Sequence, residues 1–480
     1  MLVVALGSAC EREPAVEKSL LVELPTSYVE KSFVLSEDAR AWAFVTQTDA
    51  GQRVVSSAGA GTGDAHAFCT KLAFAPKTHR LFYWARDGSE EEPTIFLVAE
   101  GQRIATDFVT IGEMGFSPDG TRWLAAGGAR GPSAAELGEI TLFVDGVPTA
   151  RAKDMALPSF SRDGRHLAYL TSDEKRGSLF VDGELRRTFD LPTGECGVAA
   201  LRDAPRPDLP MRHVVQYLAD GSLLVATRDP DGWGVYRDGD RIAYYVRATF
   251  DAGQGVCGTM AAFAPRSLRI AEEAPVAYWW ERLPGEESRW RVVRNGKPVD
   301  DVTCIDLWRH QPPETSADGT HVVYPCPGKE SVDDDVVHLV KDGTRWGPYD
   351  DVWGIAPSKD FAHVAYGASR GAIPRPWSIY VDGEPRVSNL LANWRPKVWD
   401  DGATVAWEAL LTDDGRGRFG IDGHHLGSFD EVYWGPESEP GDRVAWVVRR
   451  GRKITRISVP LSLVREPVEH PRAVRRVEAR

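Results

Sequence analysis

Cysteine is scarce in this chain, with six in 480 residues, and histidine is little commoner at eleven. The histidines are scattered, and neither His-Glu-x-x-His nor a paired Cys-x-x-Cys occurs, so the usual zinc-ligand spacings are absent. Positive charge is also short: 57 Lys and Arg stand against 70 Asp and Glu, a net charge of −13. Without clustered basic residues there is no phosphate-binding surface, which argues against nucleic acid as a partner. No apolar run approaches the roughly 18–20 residues that cross a bilayer, so the chain as given holds no transmembrane helix. Helical heptads are missing as well.

What is abundant is glycine (46), proline (32) and tryptophan (16). Turn formers together with large aromatics suit many short strands joined by tight turns. Apolar residues alternate over four to six positions and stop at Gly, Pro or Asp, as in Leu167-Ala168-Tyr169 and Leu179-Phe180-Val181. The fold class expected is all-β.

Internal repeats sharpen this. Phe116-Ser117-Pro118-Asp119-Gly120 recurs as Phe160-Ser161-Arg162-Asp163-Gly164, and again around Asp220-Gly221, Asp318-Gly319 and Asp401-Gly402. Degenerate copies at Leu35-Ser36, Phe74-Ala75-Pro76, Phe263-Ala264-Pro265, Ile355-Ala356-Pro357 and Trp434-Gly435-Pro436 bring the count to ten. Each precedes an apolar strand such as Val364-Ala365-Tyr366 or Val444-Ala445-Trp446. A second turn then follows, for example Val144-Asp145-Gly146, Val181-Asp182-Gly183, Arg294-Asn295-Gly296 and Val381-Asp382-Gly383. Asp-Gly and Asn-Gly between alternating strands signal a type I′ hairpin, which needs positive φ at both central residues. Each unit is therefore four strands, a to d, at the 40–50-residue period of propeller blades. The Phe-Ser-Pro-Asp-Gly, Ala-Tyr and Val-Asp-Gly elements resemble the TolB-like (WD40-like) bacterial β-propeller repeat. That resemblance implies a β-propeller of about ten blades and leaves function open, because such a fold hosts many functions.

A single ring is favoured because Leu20-Leu21-Val22-Glu23-Leu24 can supply the strand missing from the last unit. Two rings of five, or an irregular unit between 164 and 315, are the alternatives. The propeller is expected over 31–460, with a C-terminal tail at 461–480. Residues 1–10 end in Leu6-Gly7-Ser8-Ala9-Cys10 and resemble the end of a bacterial lipoprotein signal, although Leu6 stands one place further from the cysteine than that pattern has it. The resemblance implies a lipid on Cys10, a polar tether over 11–30, and a periplasmic or outer-surface location in a bacterial envelope.

Turns a–b and c–d share one end of a blade, and connections b–c and d–a share the other, so functional residues are sought at the second end. An acid recurs there after strand d: Asp107, Asp154, Asp190, Asp251, Asp300, Asp350 and Asp430. Such carboxylates could hold a cation or a basic segment. The blander reading is that Asp accepts backbone N–H groups at strand ends. Loops b–c carry an Arg in most units, Arg86 and Arg370 among them, and inter-blade pairing is the expected use.

Gly367-Ala368-Ser369-Arg370-Gly371 matches Gly-x-Ser-x-Gly, but a nucleophile elbow needs a helix after the turn, and Pro374 and Pro376 follow instead. His424-His425 point to opposite strand faces and make poor co-ligands. No cofactor and no catalysis are expected. The function expected is binding of a protein or envelope component through the b–c and d–a face, with membrane contact by the lipid anchor alone. The alternative is a propeller lyase or hydrolase with its site at the mouth of that face. The remaining cysteines all fall at the second end. Disulfides Cys304–Cys326 and Cys196–Cys257 are expected, with Cys69 free, against a zinc site built from the same thiols.

Overall fold

The computed structural model describes residues 16–463, apart from 58, 60–63, 89–92, 111, 131–136, 156–157, 174–175, 191–213, 230–231, 247–267, 284–288, 306–311, 330–334, 372–376, 391, 394–395 and 411–416. The chain is an all-β, ten-bladed β-propeller. Blade two shows the pattern: Phe68–Phe74, Leu81–Gly88, Pro93–Ala99 and Gln102–Phe108 form an antiparallel meander in chain order. Among the described residues blade one has three strands (Val34–Leu35, Trp42–Thr48, Gly51–Ser56) and a bridge from Gln52 to His66. Two compact units divide the chain, one gathering the first strand with blades eight to ten, the other holding blades one to seven.

The expected closing strand is present. Glu17–Glu23 pairs antiparallel with Lys453–Pro460 and completes the sheet of blade ten. The Leu24 N–H donates to the Arg452 carbonyl at 2.7 Å, and the Arg452 guanidinium donates back to the Leu24 carbonyl at 2.6 Å.

Strand b is buried on both faces, which is why its sequence is a near-continuous apolar run rather than a half-polar alternation. Trp279 and Trp280 make the point. They are adjacent, 0% and 1% exposed, and point to opposite sides of one sheet. Trp279 packs with Leu224, Ala226 and Val235 of blade five; Trp280 packs with Val322, Tyr324 and Cys326 of blade seven. Blade six thus buries its two faces against blades five and seven.

The two Asp-Gly turns differ in conformation, and the type I′ form expected of the c–d turn is found there. At c–d, Asp145, Asp182, Asp238, Asn295, Asp342 and Asp382 all have φ of 47–52°, and the glycines that follow are also positive, as type I′ requires. At a–b only the glycine is positive, as at Gly120 (φ 70°) and Gly164 (φ 71°). There the serine two places before the Asp forms the turn. Ser117 is fully buried; its hydroxyl donates to Asp119 Oδ1 at 2.6 Å and accepts the Arg122 N–H at 2.9 Å. Ser36, Ser161 and Ser316 repeat the bond to Asp38, Asp163 and Asp318.

These bonds hold Asp119 and Asp318 at about 2, with the serine hydroxyl the largest cause. A carboxyl depressed from 3.8 stabilises the fold above pH 4, and that contribution is lost as pH falls toward 2. Ser117→Ala should therefore move the Asp119 carboxyl titration upward in a ¹³C NMR experiment; an unmoved titration would refute the serine's part.

Candidate functional site

The a–b and c–d end of the blades uses its polar groups internally. In six of the c–d hairpins one Asp oxygen accepts the first N–H of strand b, among them Asp182 from Leu167 at 2.9 Å, Asp342 from Val322 at 2.9 Å and Asp382 from Val364 at 2.9 Å. In Asp145, Asp182, Asp342 and Asp382 the second oxygen meets a cationic or imidazole side chain just before that strand. Asp145 receives Arg122 at 3.0 Å, while Asp182 and Asp342 lie 2.7 and 2.8 Å from Nδ1 of His166 and His321. A two-oxygen acceptor is what this place needs, which explains Asp in most copies.

The same end joins neighbouring blades. Carbonyls of the a–b glycines accept from side chains next door, Gly319 from Tyr278 at 2.9 Å and Gly402 from Arg386 at 3.2 Å. Arg80 reaches the Thr121 carbonyl at 3.0 Å, and Arg122 reaches Arg165 at 3.0 Å. A Cβ on Gly120 would stand 1.8 Å from the Pro76 carbonyl oxygen of blade two, so glycine is required there for contact as well as for φ.

At the other end, the acids after strand d divide. Asp300 accepts the Val302 N–H at 2.9 Å and the Tyr324 hydroxyl of blade seven at 2.7 Å. Asp430 accepts the Gly451 N–H of blade ten at 2.5 Å. Both fasten a blade to the next one. Asp190 is exposed at the end of Glu184–Asp190, and Asp350 is half-buried just before the strand Asp351–Pro357. Asp107 and Asp154 lie in strands, but their side chains fall outside the described residues, as do Asp251, Cys196, Cys257 and Cys10 altogether. The Arg86 guanidinium lies over the Phe68 ring of its own blade, 5.5 Å from the centroid, a use other than the inter-blade pairing expected of it.

The cysteine pairing is seen where it can be seen. Cys304 and Cys326 are bonded, with Cα atoms 5.0 Å apart, and both are buried. Cys304 pairs in register with Trp290 of blade six and Cys326 belongs to strand b of blade seven, so the bond joins two blades. Cys69 is free and buried. Burial pushes its thiol up to about 12, with the Asp87 charge adding to the effect. Such a thiol is a poor nucleophile at neutral pH. Cys69 should resist a disulfide reagent in the native protein and react stoichiometrically in denaturant; fast native labelling would contradict this.

Ser369 ends the strand Val364–Ser369, is 1% exposed, and faces Trp377 in antiparallel register. Its hydroxyl is not displayed on a strand-to-helix turn, so the Gly-x-Ser-x-Gly pattern is part of a blade. His425 packs on Trp407, with centroids 6.5 Å apart. Among the described residues no group of three His, Cys, Asp or Glu could hold a metal.

Exposed aromatics are the remaining feature. Among the described residues the large aromatic side chains more than a third exposed are Phe68 (36%) and Trp353 (45%). Both lie in the opening residues of a strand a, at the b–c and d–a end.

No protein-family model matches the chain, and no curated protein matches it in sequence. The TolB-like likeness therefore rests on the repeated motifs alone. Among solved structures the chain is similar to Kuenenia stuttgartiensis hydrazine synthase (12% identity, 67% of this chain and 97% of that one, TM-score 0.30). It is also similar to the β-propeller domain of the Trilobed protease from Pyrococcus furiosus (13% identity, 66% and 96%, TM-score 0.29). A third is a puromycin-hydrolysing peptidase of Mycobacterium tuberculosis (14% identity, 73% and 58%, TM-score 0.30). Likenesses at this level do not extend to function.

Proposed function

We propose that this protein is a non-enzymatic binding propeller of the bacterial cell envelope, which engages a protein or envelope component through the b–c and d–a end of its blades. The observation carrying this reading is the placement of the exposed aromatic rings. Polar side chains close turns and join blades at both ends, but among the described residues the exposed rings, Phe68 and Trp353, both stand at the b–c and d–a end. Exposed aromatics of this kind are enriched where a surface binds. The Cys304–Cys326 bond fits an oxidising compartment. A lipid on Cys10 would hold the propeller at a membrane, more firmly with several acyl chains than with one.

The test is a comparison of variants in solubilised envelope. Wild type and a control with Val147→Ser and Leu185→Ser, at the a–b and c–d end, should capture the same partner. Phe68→Ser with Trp353→Ser should lose it. The opposite pattern, or turnover of an envelope polymer by the purified protein, would overturn the reading. Cys10→Ser should release the protein from membranes, and an unmodified Met1 on the membrane-bound form would refute the anchor.

A further inference from the structure

Three buried polar groups without a protein partner border one seam, the contact between blades two and three. The Trp84 indole Nε1, the Arg86 Nε and the Thr141 hydroxyl each lack a hydrogen-bond partner among the described residues. Phe68, Arg86, Ile95 and Phe108 stand opposite one another across the four strands of blade two, in a single row. Trp84 lies two residues before Arg86, on the same face and one row further in. That face packs on blade three, where Trp84 and Phe108 meet Ala125 and Phe143. Thr141 comes from the other side. It belongs to Leu137–Val144 and stands opposite Gly127, where an added Cβ would lie 2.8 Å from the Phe108 ring. All these residues fall within the compact unit of blades one to seven. Trp84 and Thr141 are fully buried and Arg86 is half-buried, while Phe68 at the rim is exposed, with the Arg86 guanidinium 5.5 Å from its ring.

A buried polar group that finds no protein partner takes one from solvent or from a ligand. Arg86 is moreover a charge, which costs more to leave unpaired than an indole or a hydroxyl. We infer that this seam, at the b–c and d–a end, takes a single carboxylate of a partner protein, with Arg86 as its counter-charge and the Trp84 indole N–H and Thr141 hydroxyl as its inner hydrogen-bond partners. The inference rests on the binding reading above and names the chemistry of its partner. One cationic donor, one neutral donor and a hydroxyl match an acceptor with two oxygens and one negative charge, and a guanidinium fork meets a carboxylate in its own plane. One arginine in a chain of net charge −13 is no match for a polyanion, so a lone carboxylate is the form that fits. A protein carries it rather than a polysaccharide, because the Arg86 guanidinium already covers a Phe68 ring face on which a sugar would stack.

NMR titration of the whole chain with an end-blocked Gly-Gly-Glu-Gly-Gly peptide, and with its glutamine counterpart, tests this through the indole N–H resonance of Trp84. Glutamine keeps the shape and removes the charge. The glutamate peptide should shift that resonance saturably, and the glutamine peptide should bind at least tenfold more weakly, because a charged hydrogen bond is lost. Arg86→Gln should weaken the glutamate peptide at least tenfold, and Arg86→Lys less, since lysine keeps the charge and loses the fork. Thr141→Val should weaken it severalfold and Thr141→Ser should restore it, whereas Glu184→Gln, at the opposite blade end, should change nothing. Unchanged urea midpoints for these variants keep folding out of the comparison. Equal binding of the two peptides, or equal binding by wild type and Arg86→Gln, would overturn the inference. So would tighter Arg86-dependent binding of a uronic-acid oligomer, which would assign the carboxylate to a polysaccharide. If the peptide fails while the envelope partner is still lost from the Phe68 and Trp353 double variant, the binding reading stands and only the carboxylate assignment fails. If instead the peptide reads Arg86 while no envelope partner depends on this end, the carboxylate site stands and the envelope reading fails.

Discussion

Gly120→Ala is expected to lower the stability of the propeller by about 3–5 kcal/mol, whereas Gly183→Ala should cost only about 1 kcal/mol. Both glycines stand in Asp-Gly turns with positive φ, 70° and 83°. A left-handed conformation alone penalises alanine by roughly 1–2 kcal/mol at either site. The difference lies in what surrounds them. An added Cβ at Gly183 meets nothing within 4 Å, because that hairpin tip projects into solvent. At Gly120 it would stand 1.8 Å from a backbone oxygen of Pro76, and backbone cannot rotate away as a side chain does. Blades two and three would have to separate, disturbing the Arg80 bond to the Thr121 carbonyl and the packing of Phe82 against Trp123. Urea midpoints of the two variants measure this directly. Equal effects would show that the a–b glycine serves its turn and not the blade contact.

Removing the bond between Cys304 and Cys326 by a double serine substitution should cost about 3 kcal/mol, as expected for a loop of this length, here a separation of 22 residues. Both sulfurs lie among Trp280, Trp290 and Tyr324, so the serine hydroxyls would also enter an apolar cluster. Two results together would confirm the role: a lowered urea midpoint in the variant, and resistance of the wild-type bond to reductant until denaturant is added. The second follows from exposures of 0% and 4% at Cys304 and Cys326. A midpoint equal to wild type would mean that blades six and seven are held by packing alone.

Much of the architecture could be read before any coordinates. The c–d hairpins were legible because Asp-Gly and Asn-Gly state a local backbone requirement, met within two residues. The closing strand was legible because Leu20 to Leu24 had no other partner in the repeat count, and the final unit lacked a strand. The Cys304–Cys326 pair followed from where the two cysteines fall in the repeat. What could not be read was the meaning of the a–b turn. There the same Asp-Gly dipeptide takes a different conformation, because the buried serine two residues earlier closes the turn and the glycine seats against the preceding blade. That preceding blade is some forty residues away in sequence, and a dipeptide carries no record of it.

The acids after strand d show the same division. Their recurrence is plain in the sequence, and so is the choice between structural and ligand-binding use. Asp300 and Asp430 are committed to Tyr324 and Gly451 of a following blade, contacts that exist only once two sheets are packed. The sequence by itself determined the strands, the turns, the four-stranded unit and its repetition, because each of these depends on backbone preferences and apolar alternation within a few residues. Only the tertiary structure decided which polar groups are consumed between blades and which aromatic rings, Trp353 above all, stay exposed, because burial and pairing are properties of neighbours brought together from distant repeats.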